Sequence, residues 1–305
     1  LLKKVALLYS LAGDYEVAGK YFSRYLQLIP DDVDSLAAWA AGAIRMKDWE
    51  KAESLLQRAF KKSPGHLATH FQAVVLQIGR GDDKPIFRFN WRQTTLTDLY
   101  ILANWMESDR PAYEKLLGEE GFEAVMAGIF GSVHVSSLHK IRTVCQQVLD
   151  ANRRSQWQSM LDLLVRLRDM GVQNAGWSLA FARASYFLGS AQEALDALTQ
   201  VQQQYPHLAE AWQNSAYVHI KAGDYEKALA DALEAHRLAP DDSAVEFTII
   251  CALAGAGKMD ELWPRLETWI RKYPEQLKSA MEGDDFYLQV IRQDPRFRDL
   301  EKVAR

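Results

Sequence analysis

His66 and His70 stand four residues apart, the spacing at which two imidazoles on one helix face could share a metal ion. The glutamate of a metalloprotease helix is missing between them. A zinc site also needs three or four ligands, so structural packing is the favoured role of the pair. His134 and His139 are five apart and offer no better set. Acidic pairs occur at Asp31-Asp32, Glu119-Glu120 and Asp284-Asp285. They sit at breaks and helix starts, where carboxylates satisfy free backbone N–H groups. Gly79-Arg80-Gly81-Asp82-Asp83 lacks the Lys-Ser/Thr of a phosphate loop, and Gly131-Ser132 is no nucleophile elbow. The expectation is therefore a chain with no catalytic residue, no metal site and no cofactor.

The elements that carry these residues have a period. Pro30 and Pro64 are 34 residues apart, as are Pro206 and Pro240, and Pro240 and Pro274. Such a period signals a repeat solenoid. The stretch Gly13-Asp14-Tyr15-Glu16-Val17-Ala18 rhymes with Gly223-Asp224-Tyr225-Glu226-Lys227-Ala228. At 305 residues, 48% hydrophobic and 25% charged, the composition is that of a globular chain. A stacked array reaches this length more easily than one compact core. The formal net charge is −4, and no run of like charges forms a basic face. Nucleic acid is thereby excluded as the expected partner. No apolar run is long enough to span a bilayer. The two cysteines, Cys145 and Cys251, fit a reducing compartment and leave an oxidising one open, so cytoplasm is favoured over periplasm only slightly. There is no start methionine and no signal peptide, and residues 1–6 already follow a helical pattern. The expectation is a piece of a longer polypeptide, or its ordered part.

The recurring residues resemble the tetratricopeptide repeat family. With proline at slot 32, residues 209–242 place Trp212 at slot 4, Ala216 at 8, Gly223 at 15, Tyr225 at 17, Ala228 at 20, Ala232 at 24 and Ala235 at 27. Alanine at slots 8 and 20 lets two helices approach closely. Units at 1–32, 33–66 and 175–208 keep the register through Ala6 and Ala18, Ala40 and Ala52, and Ala182 and Ala194. Unit 243–276 departs from it with Ile250, Leu262 and Pro264. The resemblance implies an all-α superhelix of stacked helix pairs. It divides the chain into an N-terminal array at 1–83, an irregular insertion at 84–135, a second array at 136–276 and a capping segment at 277–305. Within the insertion, Phe87, Phe89 and Trp91 alternate with Arg88, Asn90 and Arg92, the period of an extended segment. Thr97-Asp98 is the expected cap of a helix through about Met106. Helices are expected over 136–151 and 155–170, and the final segment resembles the short terminal helices of bacterial members.

In the family, slots 2, 5, 9, 12 and 13 line the inner face. The N-terminal array supplies Lys3, Leu7, Ser10 and Leu11, then Asp34, Ala37, Ala41, Ile44 and Arg45. The second array supplies Leu179, Arg183, Tyr186 and Phe187, then Glu210, Gln213, Tyr217, Ile220 and Lys221, then Phe247, Cys251 and Ala254. The Lys/Asn set by which co-chaperone members grip an acidic C-terminus is absent. The implied function is a protein–protein interaction scaffold whose aromatic groove takes a peptide or helix of a protein partner. The expected contact residues are Leu179, Arg183, Tyr186, Gln213, Tyr217, Lys221 and Phe247. Three alternatives stand beside this one. The aromatics can pack on the chain itself, the groove can serve a secretion or assembly chaperone, or the array can regulate an enzyme or polysaccharide-export protein.

Overall fold

The computed structural model describes residues 1–81, 94–130, 135–282 and 286–303. The extended segment expected at 84–92 lies outside the described residues. The fold is all-α, 83% helical, with no strand among the described residues. The first helices are α1 (Leu2–Leu11), α2 (Tyr15–Leu28), α3 (Val33–Arg45), α4 (Trp49–Lys62) and α5 (Leu67–Arg80). Next come α6 (Leu96–Ser108), α7 (Arg110–Phe130), α8 (Leu138–Arg153) and α9 (Trp157–Asp169). The series α10 (Ala175–Phe187), α11 (Ala191–Gln204), α12 (Ala209–Ala222), α13 (Tyr225–Leu238), α14 (Ser243–Gly255) and α15 (Met259–Lys272) follows. The chain ends in α16 (Leu277–Ala280), α17 (Phe286–Gln293) and α18 (Pro295–Val303).

One backbone device recurs at the turn of the repeats. Slot 15 holds Gly13, Lys47, Gly81, Ser155, Gly189, Gly223 and Gly257, and all seven have positive φ, between 54° and 90°. A left-handed residue ends a helix by turning its carbonyls onto following amides. The next amide then reaches back five residues. Asp14 N donates to the Tyr9 carbonyl at 3.0 Å, and Asp48, Gln156, Ser190, Asp224 and Lys258 make the same bond at 2.9 Å. In two units the aspartate after the turn also caps the second helix. Asp14 accepts from Val17 N and Asp48 from Lys51 N, both at 3.2 Å. At the other end, the residue before each slot-32 proline is forced out of the helical region. Ile29, Ser63, Tyr205, Ala239 and Tyr273 have φ of −133°, −141°, −136°, −137° and −136°. Ser155 shows that the period extends to a unit at 141–174, which has no proline at slot 32 to announce it.

The alanines of slots 8 and 20 sit where the register requires. Ala6, Ala18, Ala40, Ala52, Ala182, Ala194, Ala216 and Ala228 are all buried. In unit 243–276, Ile250 and Leu262 fill the same slots and are buried too. Gly255 on α14 permits a close approach to the preceding unit instead, since a Cβ there would collide with the Tyr225 ring of α13. α15 runs as one helix across Pro264.

The chain forms two compact units, 1–150 with 165–173, and 151–164 with 174–305. In the first, the described part of the segment expected to be irregular is helical. α6 starts at a capping box two residues before the expected one. Thr95 Oγ1 accepts from Asp98 N at 3.0 Å, and Asp98 Oδ2 accepts from Thr95 N at 2.9 Å. α7 is interrupted at Gly118, whose φ is 73°. In the second unit, one buried cluster joins α12 to α17 through Ile220, Ile249, Leu262, Leu266, Tyr287 and Ile291. Among the described residues, no helix is long and apolar enough to cross a membrane.

Candidate functional site: the inner face of the second array

The histidine pair is satisfied by the fold. His66 bonds Thr69 Oγ1 at 2.8 Å and Asp34 Oδ1 at 3.1 Å. His70 is buried, bonds the Pro64 carbonyl and meets Phe60 edge-on at 5.5 Å. Burial lowers its pKa below the usual imidazole value, opposed by that carbonyl bond. The two rings face different partners. Among the described residues, no three His, Cys, Asp or Glu side chains gather as ligands.

Residues expected on the inner face of the second array form a different construction. α9 begins with Trp157, whose ring stacks on Phe187 of α10 at 4.2 Å and 8°. Phe187 meets Tyr186 edge-on at 5.2 Å, and Tyr186 meets Tyr217 of α12 edge-on at 5.7 Å. Cations flank this run. Arg183 lies 5.8 Å over the Trp157 ring, and Lys221 lies 5.5 Å over both Tyr217 and Tyr287. Edge-to-face and cation–aromatic contacts of these lengths hold rings in fixed orientations. The helical period explains the row. Arg183 and Phe187 are four apart on α10, and Tyr217 and Lys221 are four apart on α12, so each pair shares a face.

A cavity of about 240 Å³ opens among Arg183, Tyr186, Phe187, Asn214 and Tyr217. Tyr217 is 39% exposed and Phe187 43%. An exposed aromatic run over a small cavity can accept apolar side chains, and its two cations can orient acidic ones.

The seven expected contact residues do not share one place. Arg183, Tyr186, Tyr217 and Lys221 lie together in the run. Leu179 is buried in the cluster of α10 and α11 with Ala194 and Leu198. Gln213 is half-buried on α12. Phe247 lies against Trp269 of α15, ring centres 5.0 Å apart. Trp157 is an addition, within the helix expected over 155–170 but not named there as a contact residue. Its position at slot 17, shared with Tyr15, Trp49 and Tyr225, was the available signal.

A family model described as Tetratricopeptide repeat matches residues 209–242. No curated protein matches the chain. Solved structures resemble it at low identity. MamA protein is 11% identical, with 93% of this chain and 96% of that one covered and a TM-score of 0.30. YrrB, a TPR protein with an unusual peptide-binding site, is 15% identical, with 73% and 95% covered and a TM-score of 0.31. The TPR2AB domain of yeast Sti1 complexed with pHSP90 is 15% identical, with 99% and 96% covered and a TM-score of 0.31.

Proposed function

This chain is a tetratricopeptide-repeat protein, and from that premise we propose that the inner face of its second array docks a segment of a protein partner. The fold is that of an interaction scaffold, and binding rather than catalysis is the role assigned to it. In this reading residues 1–83 and 136–276 carry the arrays, 84–135 joins them and 277–305 closes the C-terminal end.

The observation that supports the reading is the open aromatic run. Rings normally bury themselves, yet Tyr217 and Phe187 stay exposed while their neighbours fix their orientation. A ring held in place before binding loses little freedom when a partner covers it. Tyr217 is the central anchor, and Arg183 and Lys221 set the direction of the partner segment.

The test is a pull-down with this chain, followed by titration of the captured partner against wild type and Tyr217→Ala. Loss of a central aromatic anchor should weaken binding by about 2 kcal/mol or more. The affinity should change little with salt, because apolar burial is not screened as exposed charge pairs are. Binding that survives Tyr217→Ala and collapses in salt would overturn the reading.

A further inference from the structure

In a repeat array each repeat touches only the repeats beside it. Two contacts break that rule. Lys221 on α12 lies 5.5 Å over Tyr287 on α17, although α14 follows α12 in the array and α17 packs on α14. α17 therefore lies across the inner face and spans α12 and α14. Tyr287, Leu288 and Ile291 share a buried cluster with the inner-face residues Ile220, Cys251 and Ala254.

The first unit does the same with a different segment. Arg45 on α3 lies 5.1 Å over Tyr113 on α7, and Tyr113 Oη accepts from Gln72 of α5 at 3.4 Å. α7 thus spans α3 and α5. Arg45 and Lys221 both occupy slot 13 of their repeats, counted from Pro64 and Pro240. In each unit, then, a slot-13 cation holds a tyrosine from a helix outside the repeats.

We infer that the partner segment is an amphipathic α-helix presenting a tyrosine, with aliphatic side chains one and four positions later, and that it takes the place of α17 beneath Lys221. This rests on the groove reading above. The chemistry is that of α17 itself, whose Tyr287, Leu288 and Ile291 follow that spacing. Geometry requires the exchange. Neighbouring helix axes lie about 10 Å apart, so a helix crossing only α10 and α12 engages about two turns. A longer one meets Tyr287 at Lys221. An eight-residue helix such as α17 has little stability away from its seat, so it is suited to leave it.

The probe is a fluorescent peptide of residues 286–300, titrated into the full chain. The Tyr287→Ala chain should bind it about tenfold tighter than wild type, the equivalent of one cation–aromatic contact released. Adding Lys221→Gln should remove the gain, and a probe with alanine in place of its tyrosine should not bind. Lys221→Gln alone leaves the apolar cluster intact and should speed hydrogen exchange of the α17 amides about tenfold by the same contact. Equal affinity for wild type and Tyr287→Ala, or unchanged α17 exchange in Lys221→Gln, overturns the inference. The two readings fail separately. If the probe behaves as expected while Tyr217→Ala leaves partner affinity unchanged, the groove reading falls and the tyrosine seat stands. The opposite result removes the helix chemistry and keeps the groove.

Discussion

Tyr113 in the first unit and Tyr217 in the second both sit beside a slot-13 cation, yet Tyr113 is 3% exposed and Tyr217 39%. In the first unit the cation is covered as well. Arg45 bonds Asp109 Oδ2 at 2.7 Å and stacks over Tyr15 and Tyr113, and Phe71 closes the site against Trp105 and Tyr113. Burial pushes the Tyr113 phenol above its ordinary value, with Arg45 pulling the other way. The chain thus fills the inner face at α3 and α5, while Leu7 and Leu11 on α1 stay exposed. In the second unit the filling stops at α17, and the rings of α10 and α12 beyond it stay open. One architecture thus makes a packed core in one place and leaves an open aromatic face, the proposed docking surface, in another. The choice depends on how far a helix outside the repeats extends.

The comparison breaks first at Tyr113. Tyr113→Ala removes a buried ring from beneath Arg45 and Phe71 and should cost about 3–5 kcal/mol in a urea melt. Tyr217→Ala removes a half-exposed ring and should cost less than about 1 kcal/mol of stability. Equal losses would mean that both inner faces are cores. A smaller effect sharpens the frame that both units share. Ala216→Leu or Ala228→Leu overpacks the closest helix contact of repeat 209–242 and should cost about 1–3 kcal/mol. A melt unchanged in both variants would show that the alanine slots are misassigned.

The repeat frame was legible because its causes are local. A proline restricts the residue before it, a slot-15 glycine takes the left-handed conformation, and alanine at slots 8 and 20 permits close approach. Each writes itself into the sequence every 34 residues. Lys47 and Ser155 occupy the same left-handed position without being glycine, so the unit at 141–174 was harder to read. The site was legible only in part. Arg183, Tyr186, Tyr217 and Lys221 followed from the slots. The crossings by α7 and α17 did not, because a contact between Arg45 and Tyr113, or Lys221 and Tyr287, has no period. Leu179 and Phe247 occupy inner-face slots, yet their nearest packing is with α11 and α15. Slot number fixes a direction from the helix axis, and the neighbours decide what covers it.

Tyrosine nitration of the native chain, read by mass spectrometry, tests the difference between the two inner faces most directly. It needs neither a variant nor a partner. Tyr217 should be modified early, Tyr287, 7% exposed, only as α17 leaves its seat, and Tyr113, 3% exposed, only as the chain unfolds. Modification of Tyr113 as fast as Tyr217, or protection of Tyr217 in the isolated chain, would contradict the account.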